Sequence, residues 1–121
     1  MKPLAISLGF IYLGSDLPYW FVLPETPFNS MTTVWNVISG ERNETRVIVF
    51  DCRFGQGKGS WCRTIIAHEN GVNAPKFSAF DPDLQTEQVG GWTVMWRPKE
   101  LALFPTGLMP VAEIKAYLEA F

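Results

Sequence analysis

Two cysteines, one histidine and a few clustered carboxylates are the residues with which covalent or acid–base chemistry could begin in this chain. A cysteine nucleophile needs a base within hydrogen-bond reach. Arg46–Arg53 and Trp61–His68 read as strands, and Phe54-Gly55-Gln56-Gly57-Lys58-Gly59-Ser60 between them reads as a hairpin connection. A hairpin symmetric about Gly57 sets Cys52 opposite Cys62, Asp51 opposite Arg63, Val49 opposite Ile65 and Ile48 opposite Ile66. Cys62 and His68 then share one strand face, roughly 20 Å apart. Cys52 sits at the Cys62 end and is equally far from the imidazole. No Cys–His dyad is expected. A disulfide across neighbouring strands would be strained, so free thiols packed as small hydrophobes are expected.

The other chemistries are also incomplete. One histidine and two cysteines without Cys-x-x-Cys spacing do not make a zinc site. His68 and Glu69 are adjacent on a strand and point to opposite faces. No Gly-x-Ser-x-Gly elbow occurs. The glycine-rich loop with Lys58 evokes a phosphate cradle, but it lacks the required spacing and a following helix. Asp81 and Asp83 flank Pro82, with Glu87 downstream. Such carboxylates can act on a glycoside, hold a cation, or stay solvated. They can also form an acidic contact surface for a basic partner, which is the functional reading preferred here. No metal and no cofactor is expected.

The elements that must position these residues fit a single domain of 121 residues. Hydrophobic residues make up 47% and aromatics 14%, enough for a bulky core or an exposed aromatic patch. A net charge of -2 and a pI near 5.3 disfavour a nucleic-acid binder. The apolar run Leu4–Leu13 after Lys2 has only weak marks of a secretory signal and is too short to span a bilayer. It reads as a buried first strand of a cytoplasmic protein. Tyr19–Leu23 reads as the next strand. Its Trp20 faces away from Tyr19 and Phe21, either into the core or outward as an interface anchor.

Ser30–Gly40 satisfies two patterns. Met31, Val34, Trp35 and Ile38 fit helical spacing, whereas Thr32, Thr33, Val34, Val37 and Ile38 favour a strand. Both readings stay open. Asn70–Gln88 reads as a polar connection. Trp92–Arg97 reads as a strand, with Trp92, Val94 and Trp96 on one face and Thr93, Met95 and Arg97 on the other. Leu101–Phe104 reads as an edge strand. Pro110–Phe121 reads as a helix with the stripe Val111, Ile114, Leu118 and Phe121, widened by Tyr117. The expected class is α+β: a mostly antiparallel, twisted sheet of about five to seven strands with a docked C-terminal helix, and a second helix near Ser30–Ser39 on the helical reading.

Gly90-Gly91-Trp92-Thr93-Val94 and Met109-Pro110-Val111-Ala112-Glu113-Ile114-Lys115-Ala116-Tyr117-Leu118 resemble the C-terminus of small bacterial immunity proteins of contact-delivered toxin systems. The resemblance is confined to the C-terminal quarter of the chain. It implies a cytosolic one-to-one inhibitor that covers the active site of a cognate toxin. On that reading the contacts expected are Asp81, Asp83, Glu87, Arg53, Lys58 and Trp20. Two alternatives remain: a small-molecule-binding β domain with an aromatic-lined cavity, and a small hydrolase using His68 or the Asp81, Asp83 and Glu87 carboxylates.

Overall fold

Strand β3 (Thr45–Phe54) is apolar at most positions, and every residue in it except Arg46 and Arg53 is buried. A strand buried on both faces belongs at the centre of a covered sheet. The computed structural model, which describes residues 2–18, 21, 31–55, 61–71, 84–96 and 106–120, places it there. The other strands are β1 (Ile11–Gly14), β2 (Met31–Arg42), β4 (Trp61–Glu69), β5 (Gln85–Val89), β6 (Trp92–Trp96) and β7 (Thr106–Gly107). They run in the order β1-β2-β3-β4-β6-β5, antiparallel throughout, and β7 joins β4 in parallel beyond the end of β6. Helices α1 (Lys2–Leu8) and α2 (Val111–Glu119) complete an α+β fold.

The two faces of the sheet are covered differently. On one, Leu4 and Ala5 of α1 and Ile114, Tyr117 and Leu118 of α2 pack on Ile38, Val47, Val49, Ile66 and Met95. On the other, Phe21, Phe50, Phe54 and Trp96 cluster with Ile48, Ile65, Ala67 and Val94. We call these the helix face and the aromatic face. The expected alternation of β6 holds: Trp92, Val94 and Trp96 go to the aromatic face, Met95 to the helix face.

Four sequence readings are corrected or decided. Leu4–Leu13 is not one strand. Gly9 takes a left-handed φ of 72°, and the bonds Phe10 N–H to Ala5 O and Gly9 N–H to Ile6 O close a Schellman motif after α1. The apolar run is therefore a helix, a glycine stop and a short strand. Of the two readings left open for Ser30–Gly40, the strand is the one found: β2 begins at Met31 and runs on to Arg42. An extra residue bulges between Met31 and Thr33 and another between Trp35 and Ile38, so side-chain parity changes twice along the strand. Met31 and Val34 therefore share the aromatic face, Trp35 and Ile38 the opposite side, and these three-residue spacings produce the apparent helical pattern.

The third correction is the β3–β4 register, which is displaced by one residue. Asp51 pairs with Thr64, Cys52 with Arg63 and Arg53 with Cys62. Both charges of the expected Asp51–Arg63 pair find other partners. Asp51 accepts hydrogen bonds from Asn36 and Thr64, while the Arg63 guanidinium lies 5.2 Å from the Phe54 ring centroid and 5.0 Å from that of Trp96. Fourth, the polar connection ends earlier than expected. Gln85–Val89 is strand β5, paired to β6 across Gly90-Gly91 with Gly90 at φ 59°.

The C-terminal helix is confirmed over Val111–Glu119, with Pro110 as its cap residue. Its buried stripe is narrower than expected: Ile114, Tyr117 and Leu118 are buried, and Val111 is exposed. Arg42 Nε donates to Leu118 O at 3.1 Å and ties the end of α2 to the β2–β3 hairpin. Phe21 is buried outside any strand; Tyr19, Trp20, Leu101–Phe104 and Phe121 lie outside the described residues.

Candidate functional site

The second bulge in β2 builds the most connected polar group among the described residues. Asn36 sits in it at φ 54°, a left-handed conformation that asparagine tolerates better than most residues. The bulge turns its amide toward Asp51. Asn36 Nδ2 donates to Asp51 Oδ2 at 2.9 Å, and Thr64 Oγ1 donates to Asp51 Oδ1 at 2.6 Å. Thr64 Oγ1 in turn accepts from Met109 N at 2.8 Å. At the surface, Tyr12 OH donates to Asn36 Oδ1 at 3.4 Å. The chain of bonds joins β1, β2, β3, β4 and the segment leading into α2. Asp51 and Thr64 are buried and satisfied. This arrangement fixes elements in place; it presents no activated nucleophile.

The thiols are separated more completely than the sequence implied. Cys52 lies on the aromatic face and Cys62 on the helix face, and both are free. Cys52 Sγ–H donates to Arg63 O at 3.5 Å. Burial pushes the Cys52 thiol up to about 12, against the pull of nearby Arg63. A thiol so buried stays protonated and inert near neutral pH.

His68 is buried near the end of β4, between Val47 of β3 and Thr93 of β6. Its Nδ1 lies 2.8 Å from Glu69 O. A carbonyl only accepts, so Nδ1 carries the hydrogen and Nε2 the lone pair. Desolvation pulls the imidazole below its ordinary value, and the bond to the Glu69 carbonyl partly opposes it. Thr64, which holds Asp51, is four residues from His68 on the same face, roughly 13 Å away. His68 and Asp51 therefore do not meet.

Of the contact residues expected from sequence, Arg53 is exposed on the helix face. Glu87 is half-buried on β5, opposite Val94, on the aromatic face. The two do not form one patch. Asp81, Asp83, Lys58 and Trp20 lie outside the described residues. Among the described residues no group of three or more His, Cys, Asp or Glu side chains is placed to hold a metal. No described helix is long and apolar enough to cross a membrane.

One surface feature was not anticipated. Ile6 is 72% exposed, Ile11 66% and Tyr12 38%, on either side of the Gly9 turn. β1 is the terminal strand of the sheet order. Ile11 pairs with Ser39 and Tyr12 with Ile38, so the two side chains straddle the strand, one on each face. Sequence reading had assigned these residues to a buried strand. Only the glycine at position 9 hinted that the run breaks. Comparison with protein-family models, curated proteins and solved structures finds no match to this chain.

Proposed function

We propose that the chain is a protein-binding inhibitor of the immunity type, acting in the cytoplasm by covering the active site of a basic toxin domain. The observation that carries the reading is the exposure of Ile6, Ile11 and Tyr12 around the terminal strand, with Ile11 on one face of the strand and Tyr12 on the other. Large apolar side chains left exposed at a sheet edge suit a partner that grips the edge from both faces, and tyrosine is a common energetic anchor in such contacts. The mild net negative charge suits a basic partner. Arg53 shares the face of Tyr12 and belongs to the same approach. Asp81, Asp83, Lys58 and Trp20 remain contacts inferred from the sequence; Glu87, on the opposite face, contributes only if the partner wraps the far edge.

The test is co-expression with the protein encoded beside this gene, followed by mass measurement of the purified complex. A one-to-one complex that weakens by about thirtyfold or more in Ile11→Asp, the scale of a hot-spot loss, supports the reading. No complex, or a complex indifferent to Ile11→Asp and to Tyr12→Ala, counts against it.

A further inference from the structure

The two edges of the sheet are guarded differently. β5 closes one end of the strand order and β1 the other. Along β5 stand Gln85, Thr86, Glu87, Gln88 and Val89. Glu87 is the middle residue, so two copies of this strand set antiparallel about its centre would put carboxylate against carboxylate. A charge so placed keeps an edge from pairing with its own kind. β1 carries no such guard. No charged residue occurs from Pro3 to Ser15, nor from Met31 to Gly40 on β2 behind it.

β1 has β2 on one side and no described strand on the other. In an antiparallel pair, successive residues turn their N–H and C=O groups alternately toward the partner strand and away from it. Ile11 pairs with Ser39 and Tyr12 with Ile38, so one of the two presents its backbone donor and acceptor outward. The usable edge is short. The Gly9 stop and the bond from Phe10 N–H to Ala5 O bound it at one end. At the other, the register shifts after Tyr12, Gly14 takes a φ of 69°, and Asp16 N–H turns back to Leu13 O at 3.4 Å. Ile11, Tyr12 and Leu13 remain. Ile11 and Leu13 lie on the aromatic face and Tyr12 on the helix face.

We propose that β1 pairs antiparallel with β1 of a second copy, joining two sheets into one across a two-fold axis at Tyr12. Symmetry fixes the register. Residues directly opposite share a face, and this two-fold maps each face onto itself, so the axis passes through a residue and not between two. Of the three residues, only Tyr12 as centre leaves all of them paired. Tyr12 then meets its own copy on the helix face. Ile11, 66% exposed, meets the second copy's half-buried Leu13 on the aromatic face. A neutral edge gives an identical chain nothing to repel it. Three paired residues bury well under the roughly 1,200 Å² of standard interfaces, so the dimer is weak and reversible. The pairing does not rest on the proposed function; a toxin gripping the same edge would compete with it.

Sedimentation equilibrium of the intact chain measures the association from about 10 to about 500 μM, the range in which so small an interface exchanges. The expected weight-average mass rises from 13.7 kDa toward twice that value and no further, because a two-fold contact closes on itself. Tyr12→Lys sets ammonium against ammonium at the axis and should weaken the dimer at least about tenfold. Register is read by cross-linking in a Cys62→Ser background. Under mild oxidation Tyr12→Cys should give covalent dimers, because directly opposite Cα atoms lie about 4.5–5.5 Å apart. Ile11→Cys should not, since its own copy is a diagonal neighbour about 7–8 Å away. A chain that stays monomeric throughout overturns the proposal. So does a dimer untouched by Tyr12→Lys, growth into larger polymers, or cross-linking that favours Ile11→Cys over Tyr12→Cys. Should Tyr12→Lys fail to fold, the mass of the wild-type chain and the cross-linking pair decide.

Discussion

Gly40→Ala probes how the N-terminal segment is locked to the sheet. A Cβ at position 40 would stand 2.7 Å from Phe10 Cγ and 2.8 Å from Phe10 Cε1. Real Cβ atoms do not approach so closely, so the ring must move. Phe10 is buried and follows directly on the Gly9 stop, which leaves it little freedom to retreat. Forcing a methyl into a packed site costs about 1–3 kcal/mol. Losing much of a phenylalanine's burial costs about 1.5–3 kcal/mol. These describe the same displacement and are not additive, so the expected loss is about 2 kcal/mol. Urea denaturation followed by fluorescence of the five tryptophans measures it. The decisive comparison is the double-mutant cycle with Phe10→Ala. With the ring gone, Gly40→Ala should cost almost nothing, giving a coupling of about 2 kcal/mol. A neutral single mutant, or a cycle that adds without coupling, refutes the packing of α1 and Phe10 over β2.

Three further outcomes are expected. Asp51→Ala strands Asn36 Nδ2 and Thr64 Oγ1, both of which donate to the carboxylate, and should cost about 3 kcal/mol; Asp51→Asn, which keeps one acceptor, should cost less, and equal losses in the two variants would contradict the network. Asn43 and Glu44 close the β2–β3 hairpin with φ of 53° and 65°, so Glu44→Gly should relieve left-handed strain and raise stability by about 1 kcal/mol in the same urea assay, whereas a loss would show that the turn is not of this type. Because Cys52 and Cys62 lie on opposite faces, mild oxidation of the native protein should leave no intramolecular disulfide; a mass lower by two hydrogens in the folded monomer would restore the symmetric register.

Some elements are legible in the sequence because one physical pattern dominates them. Trp92 to Trp96 alternates cleanly, and the sheet buries its two faces accordingly. Ile114, Tyr117 and Leu118 share a helical stripe that must dock, and it does. Leu4–Leu13 hides its helix because nothing polar interrupts the run; only Gly9, with its left-handed φ, marks the break. β2 conceals its strand character behind two bulged residues. The β3–β4 register escapes local reasoning because both alignments satisfy the apolar pairs. What decides it is distant: Asn36 and Thr64 for Asp51, Phe54 and Trp96 for Arg63. For the same reason the Asn36–Asp51–Thr64 group could not be assembled from spacing, although an asparagine amid β-branched residues was a signal. The exposed Ile6 and Ile11 were missed with the helix break that places them outward.

An inhibitor of the proposed kind silences its partner by covering it. Titrating it into the purified protein encoded beside its gene, and recording that protein's toxic activity at each ratio, answers the question. Occlusion predicts a linear fall to zero at one equivalent, delayed to higher ratios in Ile11→Asp. Full activity in the presence of excess folded chain would contradict it.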